Sequence, residues 1–289
     1  MMKKLSLSLF AFLVTAFMSI PLVNALADDA ATPTQLGLRA AATPQMERII
    51  GFHNGLLILI TIIVIFVTLL LAWVALRYNK KANPEPSKTT HNVPLEIVWT
   101  LLPALIVAII AFPSFKMLYY LDRNDNIEMT LKVTGSQWYW SYEYPDHGGI
   151  SFDSYMIPED EIDESKGQKR LLSTDNPVVL PIDTNIALQI TAKPTDVIHA
   201  FTVPAFGVKK DAVPGRMNET WVRIDKPGTY FGQCSEICGK DHSYMPIEIK
   251  AVTKEEFEKW LITAKEEFAS LNDNTLIFAQ YTHSNNGVQ

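Results

Sequence analysis

The residues of this chain best suited to metal chemistry are its only two cysteines, Cys234 and Cys238, which stand four positions apart. His242 and Met245 follow in the same short segment, and His199 lies 35 residues upstream of the first cysteine. Thiolate, imidazole and thioether groups are the soft ligands of blue-copper sites, which use one Cys, two His and a weak Met. A second cysteine in the same loop lets two sulfurs bridge two metals. The set therefore predicts a copper centre suited to carrying electrons.

Two other uses of the cysteine pair are open at this stage. A cysteine pair in an exported domain is usually a disulfide. Zinc also takes Cys and His in tetrahedral sets, although it does not favour a thioether. His199 lies in an apolar run and Met245 precedes Pro246, and such residues often simply pack in a core. Their joint occurrence with the two cysteines favours copper over these alternatives.

The composition points to a membrane rather than to nucleic acid. The chain has 289 residues, of which 48% are hydrophobic and 19% charged, and its net charge is -6. That length is sufficient for one sizeable domain plus membrane segments. An acidic balance lacks the basic footprint of a nucleic-acid-binding protein. A basic protein partner fits it better.

The first apolar run, residues 5–23, has the features of an export signal. Two lysines precede it, and Ala25–Leu26–Ala27, an A-x-A pattern, ends it. A basic start, an apolar middle and a small-residue site are typical of a cleavable secretory signal. We predict that signal over residues 1–27, and the alternative is a first membrane anchor.

Two further apolar runs predict a transmembrane hairpin within residues 28–121, with spans at about 55–76 and 97–120. About 20 apolar residues suffice to cross a bilayer core. Pro103 and Pro113 lie within or near the second span, where neighbouring helices can absorb a kink.

The loop between the two spans sets the orientation. It carries four basic residues against one acid, Glu85. Positively charged loops stay in the cytoplasm, so both ends of the mature chain are expected outside. The export signal further indicates a prokaryotic chain, so a bacterial inner membrane is expected, with the region after the second span in the periplasm.

That exported region, residues 122–251, alternates apolar and polar residues in short runs separated by turn signals such as Pro214–Gly215. Such runs predict half-buried strands, here about eight to ten, in an all-β Greek-key sandwich or barrel. Residues 252–289 are expected to form a helix and a tail. Thr253 and Glu256 form a capping box before that helix.

Several segments together resemble the CuA-containing subunit II of bacterial and mitochondrial cytochrome c oxidases. They are 234–246, 137–144, 211–216, 151–156 and 95–103, and the resemblance spans about residues 45–251. It implies a cupredoxin-like sandwich anchored by two N-terminal transmembrane helices. It also implies an electron-entry subunit that takes electrons from cytochrome c. These pass to haem in subunit I, where oxygen is reduced and protons are pumped.

The resemblance assigns the metal ligands residue by residue. It implies that Cys234 and Cys238 bridge both ions of a binuclear copper centre. His199 and Met245 then complete one copper, and His242 and the backbone carbonyl of Glu236 complete the other. The Glu236 side chain is further implied to reach a magnesium ion at the border with subunit I.

Other roles follow from the resemblance alone. Trp138 is implied to be the entry point for electrons, and Glu96 the entrance of a proton path into subunit I. Subunit III is a further implied partner. Four acids match positions linked to docking of basic cytochrome c, namely Glu143, Asp146, Asp175 and Asp196. One departure is visible, because Ser136 stands where the family often has His.

Three rival functions follow from other interpretations of the same residues. A copper-delivery protein of the periplasm would expose its ligands for reversible binding. A quinol oxidase subunit of the same fold would lack the copper ligands. A disulfide-stabilised receptor domain would bond the two cysteines to each other. Counting the free thiols and the bound copper ions distinguishes these three functions from one another and from the oxidase subunit.

Overall fold

The computed structural model describes residues 30, 35–122 and 126–268 of the chain. The predicted signal at 1–27 and the tail after 268 lie outside the described residues. The described part comprises two long helices, ten strands and a further helix over residues 254–268. The two long helices precede the strands, as predicted.

The long helices are α1, Pro44–Arg77, and α2, Val93–Asp122. The Thr43 hydroxyl caps α1 by accepting a hydrogen bond from the Met46 amide at 3.1 Å. Pro103 and Pro113 both lie inside α2. In both helices the most apolar 18-residue stretch buries none of its side chains in the chain itself. Length, composition and exposure are those of membrane-spanning helices.

The ten strands form two five-stranded sheets that pack as a sandwich. The strands are β1 Met129–Ser136, β2 Tyr139–Tyr144, β3 Ile150–Ser154, β4 Val178–Pro181, β5 Ile186–Ala192, β6 His199–Val203, β7 Val208–Ala212, β8 Asn218–Val222, β9 Gly228–Cys234 and β10 Pro246–Val252. One sheet has the order β3-β2-β1-β5-β8 and the other β4-β10-β9-β6-β7. Pairing is antiparallel except between β1 and β5 and between β4 and β10. The predicted all-β sandwich is confirmed.

The core lies between the sheets and follows the strand alternation. On β1 and β5, alternate residues such as Leu131, Val133 and Ile190 are fully buried. Aromatic rings fill the centre, where the Trp140 and Phe201 rings meet edge to face with centroids 5.4 Å apart.

The helix at 254–268 covers one flank of the sandwich. Its capping box is present, since the Thr253 amide donates to Glu256 Oε2 at 3.0 Å and the Glu256 amide donates to Thr253 Oγ1 at 3.3 Å. Phe268 stacks on Phe152 with ring centroids 4.7 Å apart. This helix packs on the sandwich through one apolar face, whose buried residues are Phe257, Leu261, Ala264 and Phe268.

The membrane helices are fastened to the sandwich by hydrogen bonds. Trp221 Nε1 donates to the Tyr120 carbonyl at 3.0 Å, and the Thr220 hydroxyl donates to the Leu121 carbonyl at 3.2 Å. The last carbonyls of a helix have no partner within the helix, so β8 caps α2. At α1, a Cβ on Gly207 would lie 2.6 Å from Ile49 Cδ1 and 3.3 Å from Met46 Cα, and its φ of +70° favours glycine.

Candidate metal centre

The candidate ligands converge at one end of the second sheet. His199 begins β6 and Cys234 ends β9, and the two strands are antiparallel neighbours with Phe201 opposite Cys234. Cys238 lies in the loop that follows β9. Met245 is the last residue before β10. Strand pairing therefore brings together residues that are far apart in the sequence.

Two glycines make room for this arrangement. A Cβ on Gly232 of β9 would lie 2.1 Å from the Thr202 carbonyl oxygen of β6, so the two strands can approach only with glycine there. A Cβ on Gly135 of β1 would lie 3.0 Å from His199 Cδ2. Gly135 thus leaves the space into which the imidazole fits.

The ligand atoms already lie within coordination range of a shared centre. Cys234 Sγ and Cys238 Sγ are 3.9 Å apart, and His199 Nδ1 is 3.9 Å from Cys234 Sγ. His242 Nδ1 is 3.5 Å from Cys238 Sγ, and Met245 Sδ is at the same distance from that sulfur. Both cysteines are free thiols. A disulfide requires about 2.05 Å between its sulfurs, so the structure does not support the disulfide alternative.

The donor set fits copper. A metal–thiolate bond is about 2.3 Å long, so an ion between the two sulfurs can contact both. Met245 is 2% exposed and turns its thioether toward Cys238. Zinc sites do not favour a thioether ligand, whereas copper sites use it as a weak axial donor. The Glu236 carbonyl also faces the cluster, since it accepts a hydrogen bond from the Cys234 thiol at 3.3 Å.

Burial sets the protonation states of the metal-free ligands. Burial, and after it the neighbouring Cys234, raise the pKa of the Cys238 thiol to about 12. Burial also lowers the pKa of His199, against the opposing effect of Asp196. The Cys238 thiol is therefore protonated and His199 neutral at pH 7. Metal binding must release the thiol proton, so affinity is expected to fall in acid.

Asp196 lies beside a metal ligand. Its Oδ1 is 3.4 Å from His199 Nε2, and its Oδ2 accepts a hydrogen bond from the Gln137 amide at 3.0 Å. Burial raises the pKa of Asp196, but the hydrogen bonds from Val197, Gln137 and His199 outweigh burial and lower it overall. The side chain is only 12% exposed. This carboxylate orients the imidazole so that Nδ1 faces the sulfurs, as carboxylates behind metal-bound histidines do.

Trp138 is in direct contact with the cysteine loop. Its Nε1 donates to the Cys238 carbonyl at 3.2 Å, and Gln137 Nε2 donates to the same oxygen at 2.7 Å. The ring is half-buried. Trp140, two residues on, supports the cluster from within, since its Nε1 donates to the Met245 carbonyl at 3.2 Å. Residues 137–140 therefore hold both the cysteine loop and the backbone of Met245.

The structure separates the four acids proposed for docking. Asp146 accepts a hydrogen bond from the Thr130 amide, whereas Asp196 binds the Gln137 amide. Thr130 lies near the start of β1 and Gln137 directly follows its end, so those amides are seven residues, or roughly 23 Å, apart. Glu143 forms an ion pair with Lys132 at 2.8 Å.

Asp175 belongs with the Trp138 end. It accepts a hydrogen bond from the Tyr155 amide at 2.8 Å, and the Tyr155 ring stacks on Tyr139, next to Trp138. Asp175 and Asp196 thus lie toward Trp138, while Asp146 lies at the opposite end of the sheet.

Two more predicted side chains, those of Glu96 and Glu236, lie outside the group of candidate ligand atoms. Glu96 is in the first turn of α2, where its Oε1 accepts a hydrogen bond from the Asn92 amide at 3.2 Å. This contact caps the helix. The Glu236 side chain is exposed. Ser136 is 2% exposed, and its hydroxyl has no hydrogen-bond partner among the described residues.

Several residues of the site escaped sequence reasoning. Gly135 and Gln137 are the clearest, because their roles depend on β1 ending beside β6 and the cysteine loop. The positioning contact of Asp196 also escaped it. Its place three residues before His199 was the available signal, since a carboxylate near a metal-ligating histidine is a common partner.

Comparison with known proteins agrees with the geometry. The family model for the periplasmic domain of cytochrome c oxidase subunit II matches residues 129–252, and the model for its transmembrane domain matches residues 31–117. The chain is 46% identical over 247 residues to a probable cytochrome c oxidase subunit 2 of Rickettsia bellii, covering 86% of this chain and 90% of that one. It is 47% identical over 247 residues to cytochrome c oxidase subunit 2 of Branchiostoma lanceolatum, covering 84% and 98%.

A solved structure is also similar. The periplasmic domain of subunit II of the cytochrome oxidase of Bradyrhizobium japonicum shares 52% sequence identity, with a TM-score of 0.45. The match covers 49% of this chain and 96% of that one.

Proposed function

Because this chain belongs to the cytochrome c oxidase subunit II family, and so to a haem-copper oxidase, we propose that its metal centre is binuclear and accepts electrons from cytochrome c. The observation that carries the proposal is the approach of two free thiols to 3.9 Å, with a His Nδ1 beside each. One copper could use only part of this set.

The ligand set is sufficient for two ions. Cys234 and Cys238 would hold both, His199 and Met245 would complete one site, and His242 with the Glu236 carbonyl would complete the other, as the family resemblance implies. Bound copper supplies one-electron redox chemistry. The chain's own task is to hold the donors in nearly fixed places, which keeps reorganisation small when an electron arrives or leaves. Burial of His199, Cys238 and Met245 to 2% exposure or less supports that task.

Trp138 is the proposed entry point. Its indole is half-buried and its Nε1 is bonded to the carbonyl of a bridging cysteine. An electron arriving at this ring therefore has a short hydrogen-bonded connection to the ligand set. Asp175 and Asp196 lie toward the same end and supply negative charge for a basic partner, because complementary charge raises encounter rates. Glu143 and Asp146 belong to a wider docking surface in this proposal.

The remaining contacts are proposed toward partner subunits. The exposed Glu236 carboxylate is suited to bind magnesium at a border with subunit I. Glu96, at the cytoplasmic start of α2, is proposed as the entrance of a proton path into subunit I. Subunit III is proposed as a further member of the complex. The membrane is proposed to be a bacterial inner membrane, with the sandwich in the periplasm.

Copper counting combined with electron paramagnetic resonance tests the binuclear proposal. We expect two coppers per chain in the purified oxidase, beyond those of the partner subunit, and a mixed-valence signal shared over two nuclei. One zinc per chain, or loss of two thiols without bound metal, would overturn it. A copper-delivery role is disfavoured because four of the ligand residues, His199, Cys234, Cys238 and Met245, are buried.

A further inference from the structure

Trp140 contacts two of the candidate metal ligands from the core of the sandwich. It lies in β2 and is fully buried, and its Nε1 donates a hydrogen bond to the Met245 carbonyl at 3.2 Å. Its ring also meets the His199 imidazole in an edge arrangement, with the ring centroids 6.0 Å apart. A single side chain therefore contacts both the thioether residue and one imidazole ligand.

The Trp140 ring is itself held in place by its neighbours. Phe201 of β6 packs edge to face on it, with centroids 5.4 Å apart. In the register of β1 and β2, Trp140 is paired with Gly135, whose missing side chain makes room for His199. Paired residues of antiparallel strands share one face of the sheet. Gly135 and Trp140 therefore form one seat for the His199 ring.

The other two donors, His242 and the Glu236 carbonyl, have a different kind of support. Both residues lie in the loop between β9 and β10, where His242 is half-buried and Glu236 is exposed. Within the described ranges, the His242 ring has one hydrogen-bond contact, to Cys238 Sγ at 3.5 Å. Gln137 Nε2 holds this loop by donating to the Cys238 carbonyl at 2.7 Å. Cys238 is assigned to both coppers, so that contact favours neither of them.

We propose that Trp140 is a positioning residue for one copper of the pair, the one assigned to His199 and Met245. Through that ion, Trp140 sets how the unpaired electron divides between the two coppers. This inference rests on the proposed binuclear centre. The share of the electron on each ion depends on the relative donor strength of the two ligand sets. Contacts behind the ligands adjust that strength, and Trp140 has such contacts with one set.

Loss of the Trp140 hydrogen bond gives this proposal a direction. Without that donor the Met245 peptide is less firmly oriented, and the thioether becomes a weaker ligand. An axial ligand of this kind tunes the potential of a copper site. Weaker donation favours the reduced state of the ion held by His199, so the unpaired spin shifts toward the ion held by His242. A residue that only filled the core would change stability without changing this distribution.

The test uses the purified oxidase complex with two variants at position 140. Trp140→Phe removes the indole N–H. Site-specific incorporation of benzothienylalanine at the same position also removes the N–H but keeps the shape of the ring. Electron–nuclear double resonance measures the hyperfine couplings of the His199 and His242 nitrogens. We expect the ratio of the His242 coupling to the His199 coupling to rise in both variants.

Tyr144→Phe is the matched control. Tyr144 lies in the same strand and is fully buried, and its hydroxyl donates to the Val179 carbonyl at 3.0 Å. This variant loses a buried hydrogen bond to a backbone carbonyl that belongs to no metal ligand, so it should keep the original ratio. Gln137→Leu removes a hydrogen bond to a cysteine that both ions share. It should shift both couplings together and leave their ratio unchanged.

Three results would overturn the role of Trp140. They are an unchanged ratio in both variants at position 140, an equal change of the ratio in Tyr144→Phe, and an equal change in Gln137→Leu. The last result would mean that the loop, and not the core, sets the balance. An unaltered oxidase that lacks a signal shared by two coppers would instead overturn the binuclear centre, so the two failures are distinguishable.

Discussion

The copper pocket, formed by the candidate ligands of the metal centre, and the membrane hairpin, formed by α1 and α2, differ in how far the chain alone buries their side chains. At the copper pocket, three ligand residues are buried to 2% exposure or less and the donor atoms already face one another. In the hairpin, the most apolar stretch of each helix buries no side chain. The sandwich thus builds its metal site from its own residues, whereas the hairpin requires lipid or partner helices. Substitutions should therefore act locally in the first region and through assembly in the second.

The largest effect is expected at a bridging sulfur. Cys238→Ser should abolish the mixed-valence signal and lower bound copper to one per chain or less, because serine oxygen is a poor ligand for soft copper. Ser235→Ala, in the same loop, is the control and should leave the signal intact. Optical and electron paramagnetic resonance spectra of the purified oxidase give the result. A retained two-nucleus signal would mean that one sulfur suffices.

Gly207→Ala should weaken the contact between the membrane hairpin and the sandwich while leaving the copper pocket intact. Gly207 has φ +70°, and the added Cβ would clash with Ile49 of α1. We expect a loss of stability of about 1–3 kcal/mol, with faster proteolysis between hairpin and sandwich and an unchanged copper spectrum. Gly215→Ala is a matched control, since Gly215 has φ +73° and nothing within 4 Å of the added Cβ. Equal behaviour of the two variants would contradict a role for the contact with α1.

Gly135→Ala should disturb the copper pocket without touching a ligand. The new methyl group would press on the His199 ring from 3.0 Å. A shifted imidazole should change the copper hyperfine splitting and destabilise the domain by about 1 kcal/mol or more. An unaltered spectrum in a folded protein would show that the ring has space to move.

The smallest effects are expected at the two acids near Trp138, Asp175 and Asp196. Comparing them distinguishes a residue that positions His199 from one that only attracts the partner protein. Asp196→Asn removes a negative charge beside His199 and should raise the copper potential, by roughly 40 mV if the charge is worth about 1 kcal/mol for one electron. It should also lower the second-order rate with cytochrome c at low salt. Asp175→Asn should lower that rate while leaving the potential unchanged. A potential that is constant in both variants would remove the positioning role from Asp196.

The sequence predicted the parts of the molecule that have local signals. The spans follow from uninterrupted apolar runs, the strands from alternation, and the C-terminal helix from its capping box. The metal site was recognisable because two Cys, two His and one Met rarely occur in such a pattern. Family resemblance then supplied the division of ligands between two metals.

What the sequence left out depends on contacts between distant strands. Nothing near Gly135 or Gly232 indicates that a ring or a carbonyl will lie against it, since both contacts exist only after β1, β6 and β9 meet. The acids proposed for docking show that similar residues in the sequence can lie far apart in the structure. Asp146 and Asp196 look alike in sequence, yet their hydrogen bonds to the Thr130 and Gln137 amides place them toward opposite ends of β1.

The capping of α2 by Thr220 and Trp221 has a consequence for the timing of electron delivery. Electron tunnelling weakens steeply as the gap between donor and acceptor widens. A sandwich free to swivel above the membrane would therefore pass electrons at variable rates. Two hydrogen bonds from one strand to the last carbonyls of the anchor oppose such swivelling, so each electron leaves from the same height above the lipid.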